Sequence, residues 1–286
     1  MKKLRRPILA SLGALLAGAC SPARMLNAVA PSEGVTTRTD LAYAPGPRHG
    51  VDIYAPAEAR NAPVVVFFYG GSWANGSRSL YRFLGAALAA QGVVCMVPDY
   101  RLYPEIRSPA FLEDAAAATA WAHANAAEPG GDPGKILLMG HSAGAQMAVM
   151  LGLNPAWLGA HGLHPARHLK GVIGLSGPYD FLPLQTPRLR DIFGPEDTWP
   201  ASQPINFVSP GAPPMFLGNG ADDAIVLPRN TTRLAEKLRA AGNVVEAEIY
   251  PGVGHAPLIG AFAGPLGFIA PVRRDVLRFI TQRSAA

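Results

Sequence analysis

The sequence predicts an α/β fold: one mainly parallel central sheet with helices on both faces and small lid-like insertions. Three observations carry this. Short, continuously apolar runs recur along the chain, the pattern of strands covered on both faces. Helix-length stretches separate these runs, and such alternation is how parallel strands are connected. The chain is 286 residues long, 49% hydrophobic and only 16% charged, which suits one sizeable core and excludes a disordered chain.

In chain order, the strand runs are Val51–Tyr54, Pro63–Tyr69, Gly92–Pro98, Lys135–Met139, Leu169–Leu175, Pro214–Leu217 and Val244–Tyr250. The helix candidates are Leu80–Ala90, Phe111–Ala126, Ala143–Leu151, Arg229–Ala241 and Val272–Gln282. Residues 21–48 are polar and carry Pro and Gly, and they read as a tether plus an edge segment ahead of one domain spanning 49–286. Two stretches, 152–168 and 181–210, fit neither element; loops of that length in a compact domain are often functional, for example as lids.

The formal charge of +5 invites a nucleic-acid or membrane-surface reading. Its position argues otherwise. Lys2, Lys3, Arg5 and Arg6 contribute +4 within residues 1–20, which hold no acidic residue, so about +1 is left for the rest. No nucleic-acid partner is expected. Basic residues followed by the apolar run Pro7–Ala19 form the pattern of an export leader, too short to span a bilayer. The segment Leu16-Ala17-Gly18-Ala19-Cys20 resembles a bacterial lipobox, with its Leu one place further from Cys20 than is usual. Lipidation at Cys20, plain cleavage near Ala19 or Ala23, and an uncut anchor are the three readings. They place the protein outside the bacterial cytoplasm: periplasmic, membrane-anchored or secreted. Cys95, the only other cysteine, lies in an apolar run and reads as a buried small hydrophobe, with no disulfide framework available.

The strongest chemical signal is Gly140-His141-Ser142-Ala143-Gly144, set between a strand and a helix candidate. A sharp strand-to-helix turn lifts the Ser142 hydroxyl into a site and aims a helix N-terminus at it. A serine hydroxyl needs a base to take its proton and an acid to orient that base. The expected chain order is Ser, acid, His. Asp222 and Asp223 follow the Pro214–Leu217 strand, and His255 follows the last strand in a Gly-rich turn. Spacing to Ile225 in a G-x-x-D-x-x-V arrangement, with Asn219 in the Gly place, favours Asp222; Asp223 then reads as a loop-capping or surface carboxylate. The turn Tyr69-Gly70-Gly71-Ser72-Trp73 ends the Pro63–Tyr69 strand, and Gly70 and Gly71 with the Ala143 amide form the expected oxyanion hole. Trp73 reads as a pocket wall or a packed aromatic. His161, His164 and His168 cluster without a Cys or carboxylate and read as surface histidines; no metal and no cofactor are expected.

These motifs together resemble the α/β-hydrolase superfamily. Within it they resemble the esterases related to hormone-sensitive lipase and to kynurenine formamidase. Tyr69-Gly70-Gly71-Ser72-Trp73 is similar to their H-G-G-x-W segment, and Asp99-Tyr100-Arg101-Leu102 to their D-Y-R-L strand end. Gly174–Asp180 is similar to a segment after their sixth strand, and the likeness runs from about Val51 to Ile280. The resemblance implies a serine carboxylesterase acting on short-chain acyl esters, with Ser142, His255 and Asp222 as triad. It also implies that Asp99, Tyr100 and Arg101 brace loops under the site. The same machinery would serve an amidase, formamidase or peptidase. A silent binding protein is the reading from another class, hinted at only by Tyr69 in the place of the family's His. The segment after His255, through Ala270, is longer and more apolar than the family pattern. Together with 152–168 and 181–210 it is expected to build the pocket.

Overall fold

The computed structural model describes residues 22–285. The leader reading and the Cys20 lipidation reading lie outside the described residues. Eight strands form one sheet: β1 (Val35–Ala42), β2 (Gly50–Pro56), β3 (Ala62–Phe68), β4 (Val94–Pro98), β5 (Gly131–His141), β6 (Leu169–Leu175), β7 (Met215–Gly220) and β8 (Val245–Tyr250). Their order is β1-β2-β4-β3-β5-β6-β7-β8. β2 runs antiparallel to both neighbours, and β4, β3, β5, β6, β7 and β8 are mutually parallel. Each of the seven apolar runs expected from the sequence is one of these strands, which accords with the α/β-hydrolase fold.

The helices are α1 (Pro22–Ala28), α2 (Arg82–Ala89), α3 (Ala110–Asn125), α4 (Ala143–Leu153), α5 (Pro155–Gly159), α6 (Pro165–His168), α7 (Pro187–Phe193), α8 (Arg229–Ala240), α9 (His255–Gly260) and α10 (Val272–Ser284). They cover both faces of the sheet. Gly171 and Val172 are adjacent on β6 and point to opposite sides. A side chain at Gly171 would meet Phe279 of α10, whereas Val172 lies against Gly152 of α4. All eleven residues of α4 are buried, which explains its continuously apolar sequence. α8 shows the opposite pattern: Leu234, Ala235 and Leu238 face inward and its charged residues face water.

Residues 22–48 do not behave as a tether. α1 packs beside α2, and β1 pairs along β2 as the edge of the sheet, so no domain boundary falls at 49. Burial alternation is weak on β1, with almost every residue half or fully exposed, and periodicity could not announce it. A buried ion cluster secures this edge instead. Arg78 donates through Nε to Asp52 of β2 at 2.8 Å and pairs with Asp40 of β1 and Asp99 after β4. The Asp52 and Asp99 side chains are almost fully buried. Cys95 of β4 is buried and free, and burial pushes its thiol pKa up, so it packs as a hydrophobe. His168 bonds back to His164 and meets His123 edge to face, and no group of three or more His, Cys, Asp or Glu side chains suited to a metal occurs among the described residues.

Removing the guanidinium while keeping bulk leaves buried Asp52 without its cation and Asp99 with only the Tyr69 hydroxyl and Arg48 at 3.7 Å. Arg78→Met is expected to lower unfolding free energy by about 3–5 kcal/mol in urea titrations followed by circular dichroism.

Candidate active site

β5 ends at His141 and α4 begins at Ala143, so Ser142 alone makes the turn between them. It does so at φ 56, ψ −123, a conformation that side chains rarely adopt. The neighbouring glycines explain how the turn is tolerated. A side chain at Gly140 would collide with the Gly144 backbone, and one at Gly144 with the Phe68 carbonyl. The turn is therefore wedged against the end of β3, and the Ser142 N–H is tied to the Leu175 carbonyl at 2.9 Å. The first amides of α4 have no partner within the helix and open toward the serine.

The loop after β3 lies directly on this turn. A Cβ at Gly70 would sit 2.9 Å from the Ser142 Cβ. Gly71, Ser72 and Trp73 then take three successive left-handed conformations, at φ 138, 53 and 56. The amides of Gly70 and Gly71 in this loop and of Ala143 at the start of α4 are the candidates for the oxyanion hole.

Tyr69 shows how the loop is braced without the family's His. Its hydroxyl donates to Asp99 at 2.7 Å and accepts from Arg48 at 2.8 Å. Its ring stacks on Tyr100 at 4.7 Å, and the Tyr100 hydroxyl donates to the Tyr69 carbonyl at 2.9 Å. Arg48 also binds the Gly76 carbonyl at 2.9 Å, closing the far end of the loop. Asp99 and Tyr100 thus brace the site as the resemblance implied. Arg101 is taken up by Asp114, at 2.7 Å.

His255 opens α9 and donates through Nδ1 to Asp223 Oδ2 at 2.7 Å. Asp222, the acid expected from spacing, is exposed, and its N–H is spent on the Val253 carbonyl. This corrects the assignment by one residue. β7 runs on to Gly220, and a turn closed by Asp223 N–H to the Gly220 carbonyl carries Asp223, not Asp222, inward. The second oxygen of Asp223 accepts the Ile225 and Val226 amides at 3.0 and 2.8 Å. Burial acts to raise its pKa, but the bonds from His255 and Val226 outweigh that and hold it below the ordinary carboxylate range. Asn219, which the spacing had cast as a glycine equivalent, is a buried brace: its amide donates to the Val226 carbonyl at 3.2 Å.

The His255 ring lies 4.7 Å from the ring of His141, the residue before Ser142, and its carbonyl accepts from His141 Nε2 at 3.2 Å. Burial, reinforced by the neighbouring His255, depresses the His141 pKa to about 3, so His141 stays neutral.

A cavity of about 380 Å³ opens at Ser142. Trp73 and Phe181 give it an aromatic wall, their rings stacked 6.0 Å apart, so Trp73 is both a packed aromatic and a wall. Of the three insertions expected to build it, only 181–210 contributes, through residues 181–189. No residue of 152–168 or 256–270 is among the described lining. Several of their apolar side chains, such as Leu158 and Phe262, are buried in the core, whereas Phe268 is exposed. The sequence reading missed the segment 224–230, where Ile225 and Leu227 line the cavity although 72% and 43% exposed.

The fold and this site define a serine hydrolase of the α/β-hydrolase superfamily. The model of the BD-FAE family matches residues 51–238, more than half of the chain, and the chain belongs to that family. Esterase LipC of Mycobacterium tuberculosis is 30% identical over 86% of this chain and 68% of its own. The isoprenylcysteine alpha-carbonyl methylesterase ICME of Arabidopsis thaliana is 29% identical over 77% of this chain, but only 57% of its own length is spanned. Among solved structures, Thermogutta terrifontis esterase 2 phosphonylated by sarin superposes with a TM-score of 0.70, at 27% identity over 87% of this chain and 93% of that one. With these relatives the chain is a carboxylic ester hydrolase.

Two outcomes follow from this geometry. Asp223→Asn is expected to lower kcat on an activated ester by about 10⁴-fold, because the imidazole loses its orienting anion. Asp222→Asn should stay within about threefold of wild type in the same assay. The second outcome concerns pH. From about 6.5 down to about 3, an unfolded chain protonates His141 and the native chain does not. Native stability therefore falls with falling pH across that window, by up to about 1.4 kcal/mol per pH unit. The depressed Asp223 adds to the loss at the acid end, since its contribution is lost as pH falls through its folded pKa. Urea titrations at stepped pH should show this slope in wild type and a shallower one in His141→Gln.

Proposed function

We propose that this enzyme hydrolyses short-chain acyl esters through Ser142, His255 and Asp223 and an acyl-enzyme intermediate. The observation that carries the reading is the 2.7 Å bond from His255 Nδ1 to buried Asp223, with the His255 ring 4.7 Å from that of His141, the residue before a serine held at φ 56. With Nδ1–H committed to Asp223, the His255 Nε2 lone pair is left to accept the hydroxyl proton of Ser142.

The Ser142 oxygen attacks the ester carbonyl as its proton passes to His255. The carbonyl oxygen becomes an oxyanion, met by the Ala143 amide and the amides of the Gly70–Gly71 loop; one such donor is worth about 3–4 kcal/mol in the transition state. The C–O bond to the leaving alcohol breaks, and His255 returns the proton to that oxygen. Water then attacks the acyl-enzyme, with His255 taking one proton and handing it to Ser142. Asp223 stays ionised throughout, and its two backbone bonds keep it from turning away as the imidazolium forms. The reading of a silent binding protein loses its one hint, because Tyr69 carries a brace of its own.

The short-chain reading draws on the cavity, which at about 380 Å³ is near the lower end for small-molecule sites. p-Nitrophenyl esters from acetate to decanoate test it. The expected kcat/KM peaks between acetate and butyrate and falls at least about tenfold by decanoate. A peak at decanoate overturns the chain-length reading. Ser142→Ala should lose at least about 10³-fold in kcat and all fluorophosphonate labelling; wild-type turnover by that variant overturns the nucleophile.

A further inference from the structure

The charge around the catalytic cavity is one-sided. Among the described residues that line it, Arg229 carries the only formal charge, and no carboxylate faces it from the walls. The other arginines of this region are engaged. Arg233 pairs with Asp180 at 2.7 Å, and Arg107 with Asp191 at 3.0 Å. Arg190 donates to the Leu184 carbonyl at 3.1 Å, and Arg188 lies over the Tyr103 ring. The Arg229 side chain has no ion pair, hydrogen bond or ring contact among the described residues. It lines the same cavity as Ser142, together with the apolar Ile225 and Leu227, and is exposed to solvent.

We propose that Arg229 selects esters that bear a carboxylate at the far end of the arm occupying this cavity. The apolar and aromatic walls take the middle of that arm, and the guanidinium meets its terminal anion. Guanidinium and carboxylate match in a two-point hydrogen bond that a neutral terminus cannot supply. A simple acyl ester offers this cation nothing to pair with, whereas a carboxylate-bearing one does. The proposal rests on the esterase reading above and adds a substrate class to it.

The test compares esters that share a reacting centre and differ in their terminal group. p-Nitrophenyl hemiglutarate and p-nitrophenyl valerate place the charge on the acyl arm. 4-Acetoxybenzoate and 4-methylphenyl acetate place it on the alcohol arm. Taking the ratio of wild type to variant for each ester cancels intrinsic reactivity. Arg229→Gln is expected to lower kcat/KM about tenfold or more on the anionic member of one pair, mainly through KM, and to leave both neutral esters within about twofold. Arg229→Lys should restore most of the loss, and raising salt to about 0.5 M should erode the wild-type advantage, as screening predicts. Equal effects of Arg229→Gln on charged and neutral esters, or no effect on either charged ester, overturns the proposal. Neutral-ester turnover by wild type is the separate readout of the esterase reading, which fails only if no ester is cleaved.

Discussion

The site depends on one steric constraint: the backbone at Ser142 is wedged between the Phe68 carbonyl and the first turn of α4, with no room for a side chain at Gly140 or Gly144. That contact forces a non-glycine residue to φ 56 and fixes where its hydroxyl stands. Everything else is arranged around that point. The Gly70 loop lies on it, α4 aims its amides at it, and the turn after β8 brings His255 beside its neighbour His141. A sheet with both faces covered supplies the rigidity, since the strain of a left-handed residue, of order 1–3 kcal/mol, persists only where packing over-determines it.

Most of the architecture was legible because parallel strands buried on both faces leave continuous apolar runs. Val64–Phe68 and Val94–Val97 are fully buried and could hardly be read otherwise. The edge strand β1 was legible only as an edge segment, because its exposed residues carry no alternation. The nucleophile was legible from Gly140 to Gly144, since a wedged turn demands small residues at those two places. The acid was placed one residue early. Gly220-Ala221-Asp222-Asp223-Ala224-Ile225-Val226 contains the G-x-x-D-x-x-V frame with a true glycine and a buried valine, and it points to Asp223. Anchoring the frame on Asn219 hid that. The cavity wall at 224–230 was illegible for a different reason: an exposed Ile225 and a buried one look the same in a sequence.

The insertions divide similarly. Apolar residues after His255 suggested a cover over the site, yet Leu258 and Phe262 are core residues. By contrast, the polar and Pro-rich stretch around Gln185 and Thr186 does reach the cavity. Hydrophobicity identifies what is buried, not what it is buried against, and a substrate wall must stay partly open.

Tyr69 carries a consequence for how this sequence can vary. Its hydroxyl spans Asp99 on one side and Arg48 on the other, and Arg48 in turn holds Gly76. An imidazole at position 69 is shorter and cannot reach both partners, so Arg48 and Asp99 would be left to their direct pair at 3.7 Å without the hydroxyl between them. The effects of substitutions at 48, 69 and 99 are then strongly non-additive, as expected for side chains sharing one hydrogen-bond network. A path back to the commoner His-Gly-Gly segment must pass through an unfavourable single replacement, unless position 48 changes first. In evolutionary terms the brace couples the three positions, so the order in which they change decides which changes are tolerated.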